Sequence, residues 1–240
     1  MCTTAVIQSP FKFIRGCKKE LVNKKENALN IILRAAKEYE KNLNGNNLLF
    51  LISDRHKNIT YFEAEFNSGN FMHLTGTRLT EEYTKTLKYN KHEKNTEISF
   101  ANVYYEKCIN RRMSVDDFEF SEDGTTPLKL EVLPILMKAN LSANIFGDFS
   151  SQTFKLYTEK VAGNIRGCIG FIKDKNNKNV PNTVLKTDIR DCIVENNRIL
   201  ATYRKKKEEK QYNEIIYVAK NLDLNNVKFP EEIGYLKNLK

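Results

Sequence analysis

Histidine is the natural carrier of protons near neutral pH, and this chain of 240 residues has three of them, so each can be weighed. His56 lies in a polar turn and His92 between Lys91 and Glu93, contexts in which a histidine is normally solvated. His73 differs. It stands between Met72 and Leu74, directly before Thr75-Gly76-Thr77, where small residues let hydroxyls and backbone amides approach a ligand. Its plainer alternative is a half-buried structural histidine. In the stretch 181–190, Val184, Lys186 and Asp188 share one face of a strand and Thr183, Leu185 and Thr187 the other, with Arg190 just beyond. Cations and hydroxyls there can meet a phosphate, or form a solvated strand face. Tyr203-Arg204-Lys205-Lys206-Lys207, with Lys210 and Tyr212, is the densest positive run. Its interleaved aromatics suit a phosphate backbone with stacked bases, and a solvated connection between strands is the alternative.

Residues 17–43 carry an apolar stripe, Leu21, Ala28, Leu29, Ile32, Ala35, Ala36, Tyr39 and Leu43, that predicts an amphipathic helix stopped by Asn44-Gly45-Asn46-Asn47. Residues 48–52 and 59–66 predict a β-hairpin, and 71–77 a third short strand that ends in the small-residue loop after His73. Thr80-Glu81-Glu82 reads as a helix start, and 98–109 as a further helix or an irregular aromatic segment. Residues 116–126 are acidic and turn-rich. Pro127 after Thr126 looks like the first turn of a helix that Pro134 would kink or end near Leu133. From residue 142 onward short segments rich in β-branched and aromatic residues follow, at 144–149, 154–161, 167–173, 183–187, 198–203 and 215–220, with 174–182 as a turn closed by Pro181. Early helices and late strands predict an α+β fold: N-terminal helices and the hairpin packed on a mostly antiparallel sheet, formed largely by the C-terminal half. The expected organisation is a single unit over 1–240, with 113–126 as the candidate for an internal boundary.

The formal charge is +9, spread evenly over both halves, and the heavy use of Lys and Asn throughout is what AT-rich coding DNA would give, a drift in composition that could supply much of that charge. The charge therefore permits a nucleic-acid partner without pointing to one. Composition excludes disorder, collagen and coiled coil. The longest apolar run, residues 48–52, falls far short of the roughly 20 residues of a spanning helix, and the N-terminus lacks the order of a signal peptide, so the cytoplasm is expected and a membrane is not. Cys2, Cys17, Cys108, Cys168 and Cys192 form no C-x-x-C pair and read as reduced thiols. No metal-binding spacing occurs, and Asp116, Asp117 and Glu119 read as a solvated acidic loop. Dinucleotide, P-loop and serine-hydrolase signatures are missing as well, so neither metal nor cofactor is expected.

The string Gly69-Asn70-Phe71-Met72-His73-Leu74-Thr75-Gly76, preceded by the hairpin, resembles the phage-associated nuclease-like group of the barnase, EndoU, colicin and RelE superfamily, its fourth phage group. The later Gly167-Cys168-Ile169-Gly170-Phe171, Val180-Pro181-Asn182-Thr183-Val184-Leu185 and the last strand through Tyr212 are similar in order and spacing. The resemblance implies an α+β fold with a curved antiparallel sheet. It also implies metal-independent RNA cleavage, in which the 2′-hydroxyl attacks the adjacent phosphate. By the motif, His73 is the acid/base and Thr75 a phosphate donor. Chemistry alone assigns Lys186 or Arg166 to charge stabilisation and Tyr203 to stacking. Arg78, Arg166, Thr183, Arg190, Arg204, Lys205, Lys206 and Lys207 are the expected substrate-binding residues. RNA, tRNA included, or a host ribonucleoprotein is the expected partner, beside an immunity or target protein, and the host cytoplasm the expected compartment for a phage-encoded toxin. Two alternatives stand beside catalysis. One is an inactive relative that binds RNA or protein, such as a counter-defence inhibitor of a host complex; the other is a structural protein in which His73 merely packs.

Overall fold

A computed structural model describes residues 10–94, 99–150 and 156–239 of the chain. Helix α1 (Pro10–Asn42) runs about 50 Å at 1.5 Å per residue. Its stripe of Ala28, Ile32, Ala35, Ala36, Tyr39 and Leu43 is buried, as the 3.6-residue period requires. Gly45, at φ 69°, then turns the chain into β1 (Asn46–Ser53), which forms the expected hairpin with β2 (Ile59–Phe66). In the hairpin turn Asp54 accepts hydrogen bonds from the amides of His56 and Asn58, both at 2.8 Å, and His56 is exposed. The side chain of His92, those of Cys2 and Cys17, and Phe154 lie outside the described residues.

The third short strand expected at 71–77 is instead helix α2 (Ser68–Thr75), followed by β3 (Thr77–Leu79). Phe71, Leu74 and Thr75, spaced at i, i+3 and i+4, are its buried face, a helical period hidden in a run too short to show it. Asn70 folds its side-chain carbonyl back to the Asn67 amide (2.8 Å) and so holds the first turn. Helices α3 (Glu81–Lys94) and α4 (Phe100–Ile109) follow. The acidic stretch 116–126 contains β4 (Phe118–Phe120), which pairs with β3 in a two-stranded ribbon, and the main core draws side chains from both sides of it. Helix α5 (Thr126–Leu136) continues past Pro134, because a proline this close to the end removes one hydrogen bond and Met137 still donates to Leu133.

The remaining strands are β5 (Ile145–Asp148), β6 (Lys160–Asn164), β7 (Gly167–Lys173), β8 (Asn179–Leu185), β9 (Asn197–Lys206) and β10 (Glu214–Val218). The sheet runs β2-β1-β9-β5-β6-β7-β8, with β10 added to β9, and every neighbouring pair is antiparallel. It curls strongly enough that its edges meet: the Asn179 side-chain amide donates to the Glu63 backbone carbonyl (2.8 Å), and Phe62 and Phe66 pack on Phe171 with centroids 5.3 and 6.2 Å apart. The fold is thus the expected α+β arrangement with a mostly C-terminal antiparallel sheet, whose curl, implied by the family resemblance, is strong enough to make a half-barrel. Pro181 lies inside β8, not at the end of a turn, because β8 is an edge strand and a register shift at Gly170/Phe171 spares the missing amide. Helices α1, α2 and α5 cover one face over Leu48, Phe50, Phe66, Ile169 and Val184. Tyr212 and the C-terminal 3-10 turns, through Ile233 and Leu236, cover the other over Leu49, Leu51 and Tyr203. No described helix is long and apolar enough to cross a membrane.

Candidate functional site

Helix α2 presents His73. Its buried Phe71, Leu74 and Thr75 press one side into the core, and the Tyr39 hydroxyl anchors its start by donating to the Asn67 carbonyl (2.8 Å), so His73 emerges exposed in the last turn. The helix ends at Gly76, which takes the left-handed conformation (φ 67°). A side chain at Gly76 would bring its Cβ within 2.7 Å of Lys129 Cδ, so the stem of Lys129 crosses directly over this glycine from the first turn of α5. Thr126 fastens the same junction: its hydroxyl donates to the Gly76 carbonyl and accepts from the Ser121 amide (2.9 Å). Partial burial, and then the Lys129 charge, hold the His73 imidazole below its ordinary 6.5. Burial also lowers Lys129, against a partial offset from Asp123, and no described carboxylate lies within ion-pair distance of its ammonium.

Beneath His73 lies a chain of buried hydroxyls. Thr75 donates to the Met72 carbonyl (2.7 Å), Thr77 contacts Thr75 (2.8 Å), and Tyr104 of α4 reaches Thr77 (2.6 Å). Burial pushes the Tyr104 phenol well up, so the chain is a neutral network. The Thr75 hydroxyl, fully buried, is spent inside it. Arg78, next along β3, is exposed and ion-paired with Glu119 (2.8 Å) and Glu122 (2.6 Å) across the ribbon.

A second location gathers Arg166, Lys186 and Arg190. Arg166 and Lys186 line a cavity of about 450 Å³ between α5, the β6–β7 turn and the exit of β8, whose walls include Glu131, Ile165 and Asp188, and Arg190 adjoins it through its pair with Asp188. Gly167 lets α5 approach, since a Cβ there would come within 3.1 Å of Val132. Lys186 lies one residue beyond β8, not on its face, and pairs with Glu131; Arg190 pairs with Asp188 (2.5 Å). Arg166 is exposed and has no carboxylate within ion-pair distance among the described residues. Thr183 points to the opposite side of β8 from the helices and is buried.

The basic run forms the end of β9, at a third location beside the start of β1. Tyr203 is fully buried, so its ring faces the core and offers no surface to a base. Arg204 makes a bidentate pair with Glu214 (2.8 Å to each oxygen) and caps the Asn42 carbonyl of α1 (3.2 Å). Lys205 lies 5.0 Å from the Tyr212 ring centroid, and Lys207 pairs with Glu65 (2.5 Å). Lys206 is exposed. The run that reads as a nucleic-acid stripe is thus largely stitched into the sheet. The sequence-predicted residues fall in three places, and His73 shares its own with Thr75 and Arg78.

Lys129 was missed because nothing in the letters links it to His73; the signal, in hindsight, is Gly76, the one residue that lets α2 end and Lys129 pass over it. Among the described residues no cluster of three His, Cys, Asp or Glu side chains is arranged to hold a metal ion. No curated protein and no solved structure matches the chain. A family model described as phage-Barnase-EndoU-ColicinE5/D-RelE like nuclease 4 matches residues 31–221, from the middle of α1 to just past β10, and takes in all three locations. The chain therefore belongs to this phage-associated family with a barnase- and EndoU-like nuclease fold.

Proposed function

We propose that the protein is an endoribonuclease whose reaction uses no metal ion and centres on His73. The observation that carries this reading is the exposed imidazole at the end of α2 beside the Lys129 ammonium, which has no carboxylate within ion-pair distance among the described residues and only a partial offset from Asp123. An imidazole held below its ordinary range is mostly neutral at pH 7 and is suited to take the proton of the 2′-hydroxyl. The hydroxyl oxygen then bonds to phosphorus, the P–O5′ bond breaks, and a 2′,3′-cyclic phosphate and a 5′-hydroxyl result. Lys129 supports the charge that builds on the phosphorane oxygens. Thr75 and Thr77 act below the surface, holding the α2–β3 junction. Arg166 and Lys186 stand as cations for flanking phosphates, with Lys186 released from Glu131 when RNA binds.

A second reading, RNA or protein binding without turnover, is favoured by one feature: no described side chain makes a hydrogen bond to the His73 ring, so nothing orients it as a catalytic imidazole usually is oriented. The test is incubation of the protein with RNA in EDTA. Degradation by the wild type, abolished in His73→Ala without a change in Tm, supports catalysis. Equal inertness of both proteins, with RNA still bound, supports the second reading.

A further inference from the structure

One face of α1 carries Arg34, Lys37 and Lys41, three and four residues apart and therefore in line. With the end of α4 this face forms a groove of about 1000 Å³ floored by Leu33 and Ile109. Arg111 completes the cationic rim from just beyond α4, and it does so in a left-handed conformation (φ 54°), a backbone that glycine adopts freely and arginine does not. The one carboxylate in the lining, Glu40, is turned aside: it accepts from the Tyr105 hydroxyl (2.5 Å) and the Asn44 amide (2.8 Å). None of the four cations lies within ion-pair distance of a carboxylate among the described residues, whereas Arg78, Lys186, Arg190, Arg204 and Lys207 are all paired.

We propose that the α1–α4 groove is an exosite for the phosphate backbone of an RNA ligand, separate from His73 and serving binding, not bond cleavage; it rests on RNA being the substrate. Four unneutralised cations complement a polyanion. Among the described residues that line the groove none is aromatic, so bases do not stack on them and recognition is independent of sequence. The two sites are reached from different faces of α4: Tyr104 reaches the hydroxyl chain under His73, and the next residue, Tyr105, about 100° further round the helix, reaches Glu40 at the groove.

The test is binding of a 2′-O-methylated, tRNA-sized RNA, which cannot undergo 2′-hydroxyl attack, measured by fluorescence anisotropy between roughly 50 and 200 mM salt, where counterion release dominates. Arg34→Gln/Lys37→Gln/Lys41→Gln is expected to bind more weakly and to flatten the slope of log K against log salt by about 2. Arg111→Gly is expected to flatten it by about 0.7–0.9 while Tm stays level or rises, because glycine relieves the left-handed backbone. An unchanged slope in the triple variant overturns the exosite even if the wild type cleaves RNA. Weakened binding in the triple variant upholds it even if the wild type cleaves nothing. Displacement of a bound acidic peptide by the same substitutions, with RNA binding untouched, assigns the groove to a protein and refutes the proposal.

Discussion

Gly76→Ala strikes the junction on which the site depends. The residue sits at φ 67°, and for an L-residue the left-handed region costs roughly 1–2 kcal/mol. The added Cβ would also meet Lys129 Cδ at 2.7 Å, but the obstructing atom belongs to a flexible stem and moves, so this contact displaces the ammonium more than it strains the fold. The expected loss of stability is therefore about 1–2 kcal/mol, seen as a lower denaturant midpoint at unchanged m-value and a fall in Tm of roughly 2–8 °C for a chain of this size. Gly76→Asn separates the two effects. Asparagine tolerates the left-handed conformation better and so loses less stability, yet it pushes Lys129 aside equally. Both variants should lose RNA cleavage, and only alanine should lose the full stability increment. If Gly76→Ala melts with the wild type, or if both variants cleave normally, the account of this junction is wrong.

Tyr104→Phe removes the phenol that reaches Thr77 in a fully buried network and should cost about 1–3 kcal/mol in chemical denaturation. The mostly buried Lys107–Asp117 pair (2.6 Å) gives a pH-dependent result. Burial raises the Asp117 carboxyl, but its bonds to Lys107 and Ser114 outweigh that and hold it below its ordinary 3.8. Its contribution is thus present above about pH 4 and lost as pH falls through the lower folded value, so the stability gap between wild type and Asp117→Asn should close only in that acid range. Because His73 is held below 6.5, the acid limb of the cleavage profile should lie below pH 6.5 and move upward in Lys129→Gln, which removes one of the two causes.

Long periodic patterns were legible in the letters and short ones were not. The stripe of α1 spans several turns, and the hairpin pairs a continuous apolar run in β1 with an alternating β2 across a polar turn, so each signals its element by itself. Helix α2 has two turns, and Phe71, Met72 and Leu74 fit a short apolar strand as well as a helix; its packing against α4, α5 and β8 decides the matter. The predicted end of β8 overran because Lys186 continues the alternation after the pairing with β7 has stopped at Leu185. The candidate site was legible only at His73. The positive run at 203–207 reads as a free patch because Glu65 and Glu214, which neutralise it, are distant from it or lie across a turn, and Tyr203 reads as a stacking ring because the C-terminal turns that cover it carry no strong pattern. Lys129 escaped for the converse reason, since its neighbourhood exists only after α2 and α5 are packed.

The most direct measurement is analysis of the RNA ends left by the purified protein in EDTA. Attack by the 2′-hydroxyl leaves 2′,3′-cyclic phosphates and 5′-hydroxyls, which are expected from the wild type and should disappear with His73→Ala. Cleavage that persists on a strand carrying 2′-deoxyribose at the scission site, or the same cyclic ends from His73→Ala at an undiminished rate, would contradict the account.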